Sequence, residues 1–132
     1  MSSEQAAVVT RFLEGFAAGD IAAALDCLAP DCVVDEAHRL PFSGRYVGQD
    51  GFMEILGRMS AKLDAKVTSV ETLDAGEVVI GKLGITFVSK ATGRELPTTV
   101  VEIYTVRDGK ITYADVYYKD PGAVTDLAEG GV

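Results

Sequence analysis

Apolar residues at the start of the chain recur at helical spacing. Val9, Phe12, Leu13 and Phe16 stand at i, i+3, i+4 and i+7, which draws one apolar stripe along a helix. Ser2 and Gln5 have capping-box spacing ahead of it, and Gly19 is placed to end the helix. Asp20 then caps a second helix, in which Ile21, Ala24, Leu25 and Leu28 repeat the spacing and Pro30 marks the stop. A short strand is predicted over Cys32 to Glu36, then an irregular stretch from Ala37 to Gly48. Asp50 is read as the cap of a third helix with Phe52, Ile55, Leu56, Met59 and Leu63 on its buried face.

Beyond Leu63 the pattern changes from helical to strand-like. Lys66–Leu73, Val78–Ser89, Leu96–Arg107 and Lys110–Tyr118 read as four strands. Asp74-Ala75-Gly76-Glu77, Thr92-Gly93 and Asp108-Gly109 join them, the last being a strong hairpin signal. Pro121 and Gly122 close the predicted domain, so residues 1–122 form one unit and residues 123–132 a loosely ordered tail. Helices that precede a meander pack on one of its faces. A sheet that curls around them leaves a pocket at its open end.

Composition narrows the partners. The chain has 132 residues, 48% of them hydrophobic and 24% charged, enough for one domain with a core of its own. Its net charge of −8, with no cluster of Lys and Arg, argues against nucleic acid and against an anionic membrane surface. No apolar run approaches the roughly 18 residues of a membrane span. The first residues lack the basic and apolar segments of a secretory signal. Cys27 and Cys32 form no C-x-x-C pair and are expected to be small buried residues. A cytoplasmic location is the expectation. One histidine and scattered acids make no metal-ligand set, and no glycine-rich phosphate loop occurs, so no cofactor or metal is expected.

Several segments carry a family likeness. They are Ala17-Ala18-Gly19-Asp20, Pro30-Asp31-Cys32-Val33-Val34, Gly44-Arg45-Tyr46-Val47-Gly48 and Glu102-Ile103-Tyr104-Thr105-Val106-Arg107-Asp108-Gly109-Lys110-Ile111. In order and spacing they resemble the SnoaL-like branch of the NTF2 superfamily, with its polyketide cyclases and ketosteroid isomerases, over roughly residues 5 to 122. The resemblance implies a cone-shaped NTF2-like (cystatin-like) α+β fold, three N-terminal helices packed on a curved antiparallel sheet, with a pocket between them. It also implies site positions. The isomerase base falls on Glu36, with Asp35 its neighbour, and the acid on the third meander strand falls on Glu102. The isomerase tyrosine of the first helix is replaced by Phe12, which has no hydroxyl to donate. Limonene-epoxide-hydrolase-like members carry an Arg where this chain has Val100, so that scheme is incomplete here.

The residues themselves point the same way. Val100, Glu102, Tyr104 and Val106 share one side of their strand by its period of two. An acid among Val and Tyr on a central strand is desolvated, its pKa rises, and a neutral carboxylic acid can donate a hydrogen bond to a developing enolate oxygen. The alternative for Glu102 is a solvated charge or a partner for Arg94 or Lys82. Asp35 and Glu36 are neighbours on a strand, so one of them at most faces the pocket. Either could abstract a proton alpha to a carbonyl, with His38 serving as base or orienting the carboxylate; an ordinary polar loop is the alternative. Tyr104 and Tyr118 could hydrogen-bond a substrate oxygen or pack at the rim. Tyr46 is placed at the entrance, and Phe12, Phe16, Phe52 and Leu56 at the walls. Val101, Ile103 and Tyr117 fall on the outer sheet face, for which a homodimer is the simplest cover.

Three functional outcomes follow. The first is a cofactor-independent enzyme performing isomerisation, cyclisation or dehydration of a small apolar carbonyl compound, polyketide or steroid-like, with Glu36 or Asp35 as base and Glu102 as acid. The second is a non-catalytic module that binds a small apolar molecule or dimerises. The third is a pocket filled by its own side chains.

Overall fold

The computed structural model describes residues 3–130. Helix α1 (Glu4–Ala18) is capped by the Ser3 side chain, which accepts from the Ala6 amide at 3.0 Å. Ser2, the predicted cap, lies outside the described residues. Gly19 ends the helix at φ 74, and Asp20 caps α2 (Ile21–Asp26) through the Ala23 amide. That helix is shorter than predicted because the sheet takes the chain first. The Ile111 amide donates to the Cys27 carbonyl at 2.8 Å, and β1 (Leu28–Glu36) begins there. Pro30 lies inside β1, where the pairing shifts register between Leu28 and Val33, so its missing N–H breaks no regular ladder.

The predicted irregular stretch contains a strand, β2 (Gly44–Val47), which pairs antiparallel with β1. It runs straight into α3 (Gly48–Ser60), so Val47 occupies the cap position without a side-chain bond and Asp50 lies in the first turn instead. There its charge still faces the positive end of the helix. Gly48 makes the joint at φ 74, and a Cβ on it would stand 2.8 Å from the Pro30 carbonyl oxygen. Leu63 begins β3 (Leu63–Asp74) and does not extend α3.

The meander continues through β4 (Val79–Ser89), β5 (Glu95–Arg107) and β6 (Lys110–Tyr118). The strand order is β2-β1-β6-β5-β4-β3. Every neighbouring pair is antiparallel except β1 with β6, which is parallel. The sheet is therefore mixed rather than wholly antiparallel. Its meander starts at the far edge and folds back until β6 reaches β1. Register shifts at Val67/Ser69 and Thr105/Val106 add local bends, and α1 and α3 pack against the face that the core residues occupy.

Residues expected as a loose tail form a fourth helix, α4 (Pro121–Ala128). Asp120 caps it through the Ala123 amide at 3.0 Å, and Pro121 supplies a φ suited to the first turn. Val124, Leu127 and Ala128 are buried, and the Thr125 hydroxyl donates to the Arg39 carbonyl, tying α4 to the loop after β1. Burial of Val124 and Leu127 makes this helix part of the core. Leu127→Ala is expected to lower the unfolding free energy by about 2–3 kcal/mol in urea titration. A change below about 0.5 kcal/mol would return the segment to the status of a tail.

Candidate active site

Strand alternation decides which acids meet. On β1, Cys32, Val34 and Glu36 point into the core, and Val33 and Asp35 point away. Val34 pairs with Ala114 of β6, Tyr104 of β5 also pairs with Ala114, and Glu102 pairs with Val116. Glu36 and Glu102 thus sit on the same face, separated by β6. Their backbones are two strand spacings apart, roughly 10 Å, and both side chains line one cavity.

That cavity lies between the sheet and the helices. Phe12, Leu13 and Phe16 of α1 and Phe52, Ile55, Leu56 and Met59 of α3 form one wall. Leu83, Ile85, Ala114 and Tyr118 of the sheet form the other, and the space between them that a water-sized molecule could occupy is narrow, about 40 Å³. Apart from the two glutamates and the Tyr118 hydroxyl, the lining is apolar.

The two acids differ in what supports them. Glu36 is 7% exposed, and its Oε1 has no hydrogen-bond partner among the described residues. Burial pushes its pKa up to about 8, with the nearby Glu102 charge adding to the rise and the Ala37 amide opposing it. Glu102 is half-buried, but the surface it keeps faces the cavity. Its pKa is also raised by burial, against a hydrogen bond donated by the Tyr104 hydroxyl to Oε1. Tyr118 stacks on Phe87 with ring centroids 6.2 Å apart. Burial, and then the two glutamate charges, hold its phenol well above the ordinary range.

Phe12, Phe16, Phe52, Leu56 and Tyr118 line the pocket, as the sequence places them. Tyr104 does not: it is fully buried behind the wall, edge-on to Phe12, with its hydroxyl on Glu102. Tyr46 is not at the entrance either. It is buried, and its hydroxyl lies 3.1 Å from the carbonyls of Phe42 and Ser43, anchoring the loop before β2. Asp35 lies on the opposite sheet face and accepts from the Tyr113 hydroxyl at 3.1 Å. Period-two alternation sends it there because Glu36 points inward. His38 is exposed on the loop beyond β1, in an outer depression shared with Asp35 and Tyr117. Leu83, Ile85 and Ala114 are wall residues that sequence reading missed, though the inward phase of β4 and β6 marks them. Among the described residues no group of three or more His, Cys, Asp or Glu could hold a metal ion, and no helix is long and apolar enough to cross a membrane.

An apolar cavity between two helices and a curved mixed sheet, with two acids on the sheet facing it, defines a small α+β domain of the NTF2-like class. The sequence profile of the SnoaL-like domain matches residues 9–114, and the chain belongs to that family. No curated protein matches it in sequence. Among solved structures, TerC co-crystallised with polyporic acid superposes with a TM-score of 0.85 at 21% identity, over 96% of this chain and 99% of that one. A putative polyketide cyclase from Xanthomonas campestris pv. campestris gives 0.79 at 24% identity, over 94% and 96%. A putative isomerase from Bacillus subtilis gives 0.77 at 15%, over 98% and 94%. At these identities the likeness shows the fold.

Proposed function

We propose that the pocket carries out cofactor-independent acid/base catalysis on a small apolar carbonyl compound, polyketide-like or steroid-like, by isomerisation, cyclisation or dehydration. One observation carries this reading: Glu36 holds a buried, unpartnered carboxyl oxygen at the wall of an apolar cavity that Glu102 also lines. A buried polar atom without a partner costs stability, and it persists where a ligand completes it. Two neighbouring acids with raised pKa values can together take a proton from carbon and give one to oxygen near neutral pH. TerC, which was crystallised with polyporic acid, supports a small-molecule pocket in this fold. The same reading pairs two copies of the chain through the outer sheet face, where Ile80, Val101, Ile103 and the exposed Tyr117 lie. The non-catalytic binding module is favoured by Phe12, which leaves the pocket without a helix-borne hydroxyl.

Deuterium uptake at the carbon alpha to a ketone separates these readings. Fused-ring ketones such as 2-tetralone, and a 3-ketosteroid, incubated in D2O with the protein, are expected to exchange faster than in buffer. Glu36→Gln and Glu102→Gln are expected to lose that acceleration, while Asp35→Asn keeps it within about twofold, since its carboxyl faces away. Ketones that bind without exchanging would instead make the protein a binding module.

A further inference from the structure

Tyr104 sits where the two acids are made unequal. Its ring fills a space that exists because residue 81 is glycine. Gly81 pairs with Glu102 across β4 and β5, and a Cβ there would stand 2.9 Å from the Tyr104 ring and 2.8 Å from Leu13. The ring, held edge-on by Phe12, has its hydroxyl directed to Glu102 two residues earlier on the same strand face. Glu36 has nothing equivalent at Oε1. Around the pair, α1, α3 and β4 contribute apolar side chains and Gly81, β5 contributes Tyr104, and β6 contributes Tyr118. No cation is among the described residues that line the cavity. A negative charge there is held by hydrogen bonds alone, and two together repel.

We propose that Tyr104 is a positioning residue that assigns the pair's single negative charge to Glu102 and leaves the proton on Glu36, making Glu102 the base and Glu36 the acid. This rests on the acid/base reading of the pocket and reverses the roles that the family resemblance gives to the two positions. The proton count closes. The Glu102 carboxylate takes a proton as the substrate C–H bond breaks, and Glu36 gives its proton to the carbonyl oxygen, so the pair exchanges its charge and an enol forms. Return of the Glu102 proton to a second carbon, with Glu36 recovering its own from the enol, completes an isomerisation. The phenol gives nothing up; it favours the ionised form of one carboxyl by donating to it.

The test reads the two carboxyls directly and needs no substrate. Side-chain carboxyl 13C shifts of the glutamate-labelled full chain are followed against pH, with Glu36→Gln and Glu102→Gln used to assign the signals. In the wild type, Glu102 is expected to titrate below Glu36. Tyr104→Phe keeps the ring and removes the donor, and is expected to raise the Glu102 midpoint by one pH unit or more, a tenfold change in its ionisation, while that of Glu36 falls. A 3,5-difluorinated phenol at the same position, a stronger donor, is expected to lower the Glu102 midpoint and serves where the phenylalanine variant is poorly folded. Glu102 titrating above Glu36 in the wild type, or midpoints that neither change moves, overturns the proposal. A merely structural Tyr104 would alter unfolding without moving either midpoint. Ketones that fail to exchange while the titrations behave as described would remove the catalytic reading and leave the charge assignment standing.

Discussion

Glu36→Gln is expected to make the protein more stable than the wild type at pH 8, by roughly 4 kcal/mol, with the two curves meeting near pH 4. The sign follows from proton binding. Burial raises the folded-state pKa of Glu36 from 4.5 to about 8, so between those values the unfolded chain holds fewer protons than the folded one. Folding stability is then full below 4.5, falls as pH rises toward 8, and levels off above it. Glutamine keeps the shape and a neutral polar group but has no proton to lose, so its curve lacks that fall. For a chain of this size the gain corresponds to a midpoint higher by about 10 °C or more at pH 8. Thermal unfolding of both proteins from pH 4 to 9 measures it. Parallel curves would show that the carboxyl is not held protonated. Glu102, also raised by burial, adds to the fall with the same sign.

The second large effect is on rate. Glu102→Gln and Glu36→Gln are each expected to slow proton exchange into a ketone substrate by about 10²–10⁴, the range for a positioned general acid or base. The double variant should be little worse than either single one, because acid and base act as a unit on one transfer. The wild-type rate should be bell-shaped in pH. Its alkaline limb falls near 8, where Glu36 loses its proton, and its acid limb falls where Glu102 gains one. In Glu36→Gln the alkaline limb should vanish along with most of the rate. Single losses below about tenfold, or a double variant slower by the product of the two, would show that the glutamates do not share one proton transfer.

Both effects have one cause. The enclosure that keeps Glu36 protonated also destabilises the fold as pH rises, so the residue that costs stability is the one given a chemical role. An unpartnered buried carboxyl is otherwise hard to explain in a core whose other large side chains are packed among apolar neighbours. Under the proposed function, stability is set against activity at this position.

Much of the fold was legible because local rules suffice for it. The stripe of Val9, Phe12, Leu13 and Phe16, the Gly19-Asp20 joint and the Asp108-Gly109 turn each depend on residues within a few positions of one another. β2 escaped notice because it is four residues long with one buried side chain, Tyr46, too short for a period to show. The helix signals of α4 were present in Asp120-Pro121, Val124 and Leu127, but eight residues with only two large apolar side chains look like a tail until something buries them. The parallel pairing of β1 with β6 joins residues about eighty positions apart, and no local signal carries it.

The sequence by itself determined the α+β class, the order of most elements, and the choice of Glu102 as an acid worth attention, with Asp35, Glu36 and His38 left as an undivided cluster beside it. Those follow from periodicity, turn chemistry and the rarity of charges on apolar strands, all written in near neighbours. Tertiary structure alone decided which carboxyl faces the cavity, that Asp35 and His38 lie outside it, and that the hydroxyl of Tyr104 is directed to Glu102 rather than to the pocket. These depend on strand phase and on distances across β1, β6 and β5. Such phases and distances are fixed only when the whole sheet has closed around its helices.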